Sequence, residues 1–194
     1  MALLACMILS SVVGDAGVLW QFDFEELPSG WSADSLWEFP GDGAVLFLYA
    51  SADSGYNWQS QMWSEELVIP SGVDSIWILL TDQHMNWGAV GGGYAWSSMG
   101  AEVYLDGIHS LSLWGQYNEW GKGYGPDAPQ DHQVMGILPV DAGDVLDFGF
   151  HGEVHAQGGA FASIEYVIYG LVVSSSPIVS LESTTWAGIK SLLF

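Results

Sequence analysis

Runs of apolar residues at every second position appear between turn clusters, and no stretch before the C-terminal tail carries the spacing of a useful amphipathic helix. That period dictates strands, because successive side chains of an extended chain point to opposite faces. "VLWQFDFEE" (18–26) sets Trp20, Phe22 and Phe24 on one side against Leu19, Gln21, Asp23 and Glu25 on the other. "DVLDFGF" (144–150) alternates in the same way. "AVLFLYASA" (44–52), "SIWILLTDQ" (75–83) and "AFASIEYVIYGLVV" (160–173) are apolar enough to be central strands. "AEVYLDGIHSLSLW" (101–114) is predicted to be a hairpin. Its Asp106-Gly107 is the dipeptide that a two-residue type I′ turn favours, because both positions need positive φ. Clusters such as PSGW, PGDG and PVDAGD punctuate the runs. Many short strands without intervening helices leave few solutions, and the expectation is an all-β fold, an antiparallel jelly-roll-like β-sandwich over residues 17–173.

The two ends read differently. "MALLACMILSSVVGDA" (1–16) is apolar, and Gly14 and Ala16 are small residues at the −3 and −1 positions of a cleavage site, so residues 1–16 are expected to be a signal peptide. "LLAC" ending at Cys6 has the look of a lipoprotein box. Cleavage after Ala16 would remove the only cysteine, so the mature chain would be held by its core and not by disulfides. Residues 174–194 are expected to be a polar linker and a short helix-capable tail. Ser183 or Thr184 could cap it, and Trp186, Ile189 and Leu192 share one face.

Charge excludes whole classes of partner. Asp and Glu number 23 against two lysines, with no arginine. Nucleic acid binding rests on cationic side chains displacing counterions from phosphates, so no nucleic acid partner is expected. Anionic lipids and polyanionic sugars are disfavoured on the same ground. Divalent cations, neutral glycans and a screening salt medium suit such a surface.

The residues able to carry chemistry fall into three groups. The first is aromatic: Trp58, Trp87, Trp114, Tyr117, Trp120 and Tyr124 lie among Gly, Asn, Gln and Asp, as do Trp63 and Trp96. Flat aromatics stack on pyranose faces while amide and carboxylate side chains bind the hydroxyls, which makes this set the expected glycan-binding residues, with packing inside the sandwich as the alternative. Trp20, Trp37 and Trp77 sit in apolar runs and are expected to be buried. The second group is His151, Glu153 and His155 in "HGEVH", which would share one strand face and could hold a transition metal. Asp82 and His84 in "TDQHMNW" read as ordinary polar positions. The third is oxygen-rich: Glu25, Glu26, Asp42, Asp127, Asp131 and Glu165 could supply a structural Ca²⁺. Catalytic signatures are missing from the sequence. It has no Gly-x-Ser-x-Gly elbow, His-Glu-x-x-His or P-loop, and Glu65 or Glu119 would have to serve as the carboxylates of a glycosidase.

"FDFEELPSGW" (22–31) and "SIEYVIYG" (163–170) resemble the opening and closing strands of MAM-like and adhesin-type jelly-roll domains of exported bacterial proteins. "VYLDG" and "DAGDVLDFGF" are similar to stretches of carbohydrate-binding modules. The resemblance covers roughly residues 17–173 and implies a jelly roll in which an acid of the first strand and one of the last share a structural Ca²⁺. Carried onto this chain, those positions are Glu25 and Glu165, with Tyr166 standing where a second acid of the closing strand would be. "TTWAGIKSLLF" resembles C-terminal sorting tails. The expected function is that of an exported, non-catalytic binding or adhesion protein at the cell surface or outside the cell, with a neutral glycan or cell-surface component as partner. The alternative is a self-associating structural protein of an envelope or matrix.

Overall fold

The computed structural model describes residues 17–178 except 52–56, 91–92, 121–123 and 127–129. The expected signal segment and residues 179–194 of the expected tail lie outside the described residues. Thirteen strands follow one another among the described residues. They are β1 (Val18–Phe22), β2 (Ser32–Ala33), β3 (Trp37–Glu38), β4 (Ala44–Ser51), β5 (Asn57–Trp63), β6 (Leu67–Val68), β7 (Ser75–Val90), β8 (Tyr94–Leu105), β9 (Ile108–Trp120), β10 (Tyr124–Pro126), β11 (Gln130–Pro139), β12 (Val145–Gln157) and β13 (Ala160–Ser174). Among these residues no helix is long and apolar enough to cross a membrane.

All pairings are antiparallel. The eight long strands run β11-β7-β13-β4 in one sheet and β5-β12-β8-β9 in the other. The chain enters one sheet with β4, crosses to the other with β5, and returns with β7. In that order the first long strand of the chain lies beside the last and the second beside the second last, which is the jelly roll. The short strands extend the edges: β1 pairs with β13, β3 with β4, and β10 with β7 in the first sheet, while β2 pairs with β5 and β6 with β12 in the second. The β8–β9 connection is the predicted hairpin, with Asp106 at φ 51° and Gly107 at φ 73°. The Asp106 carboxylate then accepts from Val145 N–H at 3.0 Å, tying the turn to β12.

Alternation fills the space between the sheets. Leu46, Leu48, Ile76, Ile78, Ile164 and Ile168 face inward from the first sheet, and Met62, Met99, Val103, Phe148 and Val154 meet them from the second. Phe24 and Trp31, from the stretch that carries the family resemblance, pack on Phe150, with ring centroids 6.1 Å from it in each case. Phe24 sits at φ 55°, a conformation a bulky residue tolerates only when surrounding contacts hold it, and it is fully buried. Trp37 is buried as expected, whereas Trp77 corrects the expectation: it lies between buried Ile76 and Ile78 and so turns outward. β7 also runs seven residues beyond the predicted end at 83, and β5 and β11 form where no strand was predicted.

Candidate functional site

Two features of the sandwich carry more chemistry than packing needs. The first is the outer face of the second sheet. Its rows follow from register: Gln59, Glu153, Ser98 and Tyr117 lie side by side, as do Gln61, His151, Gly100 and Gly115, while His155 pairs with Trp96 and Gly149 pairs with both Trp63 and Glu102. At one end Trp96 lies 5.8 Å from Tyr117 and stacks on His155 at 5.8 Å, and the Tyr94 and Tyr117 hydroxyls meet at 3.5 Å. At the other end Trp63 lies 5.2 Å from Tyr104, whose own ring meets His109 at 5.5 Å edge-on. The two aromatic groups stand six residues apart on β12, roughly 20 Å along a strand.

Between them the floor is low. Gly100 and Gly115 carry no side chain, but neighbouring rings lean over two of the floor glycines: a Cβ at Gly100 would stand 3.0 Å from His151 Cε1, and one at Gly149 would stand 2.8 Å from Cζ3 of Trp63. Polar groups line the floor and walls. The Trp63 indole N–H donates to Gln61 Oε1 at 3.2 Å, and the Tyr104 hydroxyl donates to Glu102 Oε2 at 2.6 Å. The second bond, helped by partial burial and the carboxylate's charge, pushes the Tyr104 pKa up to about 12. Aromatic walls, a flat floor, amides and carboxylates, and no lysine or arginine among these strand rows make a surface suited to a neutral polyhydroxylated ligand.

The predicted aromatic set is not brought together. Tyr117 is on this face and 58% exposed. Trp87 is also exposed, but it lies on the first sheet, paired with Ser163 of β13. Trp114 pairs with Ala101, whose side chain is fully buried, and so points into the sandwich. The side chains of Trp58, Trp120 and Tyr124 lie outside the described ones; their backbones pair with Val154, Ala95 and Ala89. Trp63 and Trp96, members of the wider aromatic set, are on this face; the residues sequence reasoning left out are Tyr94, Tyr104 and His155 as a ring partner. Strand parity would have found Trp96 and Tyr117 together once β8 and β9 were paired.

His151, Glu153 and His155 do share the outer face, each half-buried. Their ligand atoms do not gather as a metal would need; among the described residues one cluster of three does so, and it lies elsewhere. Glu25 is exposed in the turn after β1, whereas Glu165 sits mid-strand on β13 between Phe47 and Met85.

That cluster is the second feature, inside the sandwich. The inward row of β7 begins Ile76, Ile78, Leu80 and then becomes Asp82, His84, Asn86, all buried. Asn86 is satisfied: it donates to Gln116 Oε1 at 2.9 Å and accepts from Ser97 Oγ at 2.9 Å. Asp82 is not. Its pairing partner on β11 is His132, and Asp82 Oδ1 lies 3.8 Å from His132 Nδ1, too far for a hydrogen bond. Neither carboxylate oxygen has a hydrogen-bond partner. Burial pushes the Asp82 pKa up to about 7, against the nearby donors of Trp114 and Tyr166. Tyr166, paired with His84 across β13, is fully buried and its hydroxyl has no hydrogen-bond partner either; burial and the Asp82 charge hold it well above the usual phenol range.

The pairing and the buried core define an all-β antiparallel sandwich of jelly-roll type. No protein-family model matches the chain, and no curated protein is similar to it. Solved structures resemble it distantly. A CBM22-1 xylan-binding domain of Xyn10C from Paenibacillus barcinonensis is 14% identical, with 82% of this chain and 95% of that one covered, at a TM-score of 0.37. The K3 cleaved adhesin domain of Lys-gingipain from Porphyromonas gingivalis is 13% identical over 81% and 98%, at 0.38. A CBM2 module of the evolved Dit of Lactobacillus casei BL23 phage J-1 is 9% identical over 84% and 98%, at 0.44. At that distance none of them says what this chain binds.

Proposed function

We propose that this chain is a non-catalytic, exported binding or adhesion module that holds a neutral glycan on the outer face of its second sheet. One observation carries the reading: Trp96, Tyr117 and Tyr94 at one end and Trp63 with Tyr104 at the other flank a floor of Gly100, Gly115 and Ser98. A chain of sugars laid along β12 would stack at both ends and exchange hydroxyl hydrogen bonds with Gln59, Gln61, Glu102 and Glu153 between them. Acidic sugars would meet carboxylates without a cation to neutralise them. The test is an array of neutral and acidic glycans probed with the full-length chain, in Ca²⁺ and in EDTA. Neutral-glycan binding lost in Trp96→Ala supports the proposal; a blank array, or binding indifferent to Trp96→Ala and Trp63→Ala, refutes it. Sensitivity to EDTA that added Ca²⁺ reverses and added Zn²⁺ does not, and that is absent in Glu25→Gln with Glu165→Gln, would support a structural Ca²⁺ involving those two residues.

A second reading draws on the opposite face. Phe47, Tyr49, Trp87, Met135 and Ile137 are all exposed large apolar side chains on the outer side of the first sheet. A surface of that kind fits self-association, and sedimentation of the full chain across a concentration range tests it.

A further inference from the structure

We propose that Asp82, His84 and His132 form an internal binding site for a borderline divalent cation of the Zn²⁺ type, between the two sheets. Each residue offers one ligand atom, and the three atoms lie within 4.8 Å of one another. Adjacent strands aim them at a common point: Asp82 and His84 project inward from β7, and His132, opposite Asp82 on β11, projects the same way. The imidazole rings of His84 and His132 are 4.3 Å apart and steeply inclined at 63°, so they do not simply stack on each other.

The second, independent observation is the unpartnered carboxylate. The Asp82 side chain is fully buried, and both of its oxygens lack a hydrogen bond. An isolated buried carboxylate is costly unless a cation or donors compensate it. The chain has no arginine, and no lysine is among the described residues. Tyr166 OH and Trp114 Nε1, buried beside the same group, also lack partners. An indole N–H is a donor and cannot ligate a cation, so what is left for one is the Asp82 carboxylate with the two imidazoles.

The donor set selects the cation. Two imidazole nitrogens and one carboxylate oxygen suit Zn²⁺ and its neighbours, whereas Ca²⁺ and Mg²⁺ require six or more oxygens. Bonds of about 2.0 Å in a tetrahedron hold ligand atoms about 3.3 Å apart, so the atoms must draw in by roughly 1.5 Å at most. His132 can make that movement, since its side chain is 33% exposed while that of Asp82 is closed off. The same exposure gives a cation its way in.

The test uses the full-length chain stripped with chelator and titrated with Zn²⁺ alone and with Co²⁺ alone. Expected are one equivalent bound per chain, visible Co²⁺ bands of a low-coordinate site, and a fall in affinity of at least about tenfold in Asp82→Asn and in His132→Gln. His132→Gln guards against a misfolded Asp82 variant because it alters a partly exposed side chain. His151→Ala with His155→Ala is the control and should bind as the parent does. A chain that binds neither metal stoichiometrically overturns the proposal. So does binding that survives Asp82→Asn and His132→Gln but disappears with the His151 and His155 substitutions.

Discussion

The indole of Trp114 lies flat on the imidazole of His84, ring centroids 4.6 Å apart and planes 22° from parallel. Trp114 belongs to the second sheet and His84 to the first, so the stack bridges the sandwich at the level where the inward row of β7 turns from aliphatic to polar. The same indole meets the Tyr166 ring edge-on at 5.2 Å. It is a strut between the sheets, and Tyr117, three residues on, is a surface residue. Trp114→Ala should therefore destabilise the fold by about 3 kcal/mol, the cost of removing a large packed aromatic. Tyr117→Ala should cost well under about 1 kcal/mol and weaken glycan binding instead. Denaturant unfolding of the two variants checks the contrast; equal losses of stability would show that parity does not separate them.

Much of the fold was legible in the sequence because strand period and turn chemistry are local. Asp106-Gly107 announces its turn through the positive φ both residues must adopt. The site was less legible for two reasons. In "WGQYNEW" (114–120) Trp114 and Tyr117 differ by an odd number and so must face opposite ways on a strand, but which way is inward depends on the pairing with Ala101 and Ser98. Period two says which residues share a face; it does not say which face is covered. Asp82 and His84 share a face by the same rule, yet the residue that gives the pair its meaning is His132, nearly fifty positions away and brought alongside by the β7–β11 register. Strands such as β11 stay hidden because their outward side chains, Met135 and Ile137, are apolar too, and that erases the alternation.

Gly149 and Gly152 separate binding from stability on a single strand. A Cβ at Gly149 would meet the Trp63 ring at 2.8 Å on the outer face, whereas one at Gly152 would meet Ile164 Cδ1 at 2.5 Å and Leu46 Cδ2 at 2.6 Å in the core. Gly149→Ala is expected to push the Trp63 ring off its seat and lower glycan affinity with a modest change in stability. Gly152→Ala overpacks the interior and should cost about 1–3 kcal/mol. Melting curves and glycan titrations of both variants read the two effects independently.

The Tyr104–Glu102 bond makes an alkaline prediction. Tyr104 titrates at about 12 in the fold, chiefly because its hydroxyl donates to the Glu102 carboxylate. A free tyrosine ionises near 10. The folded value is the higher, so what the bond contributes is whole below about pH 10 and is lost as pH climbs through the folded value. In Glu102→Gln, absorbance of tyrosinate should show one more group ionising in the ordinary range than in the parent. An unchanged titration would remove the carboxylate as the cause.

Asp82 gives the last prediction, on stability in chelator. The titratable groups that face it are His84 on its own strand, His132 on β11 and Tyr166 on β13, and none closes a hydrogen bond to its oxygens. Burial holds its folded pKa at about 7, above the 3.8 of a free carboxyl. A raised value means that the folded state keeps the proton longer. Stability is then whole below about pH 4 and declines as pH rises to about 7, as the buried group is forced to ionise. Asp82→Asn removes that decline while filling the same space. In EDTA the variant should therefore be the more stable protein at pH 8, by about 2 kcal/mol once residual solvent screening is allowed for, and the gap should close towards pH 4. Adding Zn²⁺ at pH 8 should reverse the order, because only the parent gains the binding free energy. Thermal melts at both pH values, with and without the metal, decide it; a parent more stable than Asp82→Asn in EDTA at pH 8 would mean that Asp82 already has a partner of its own.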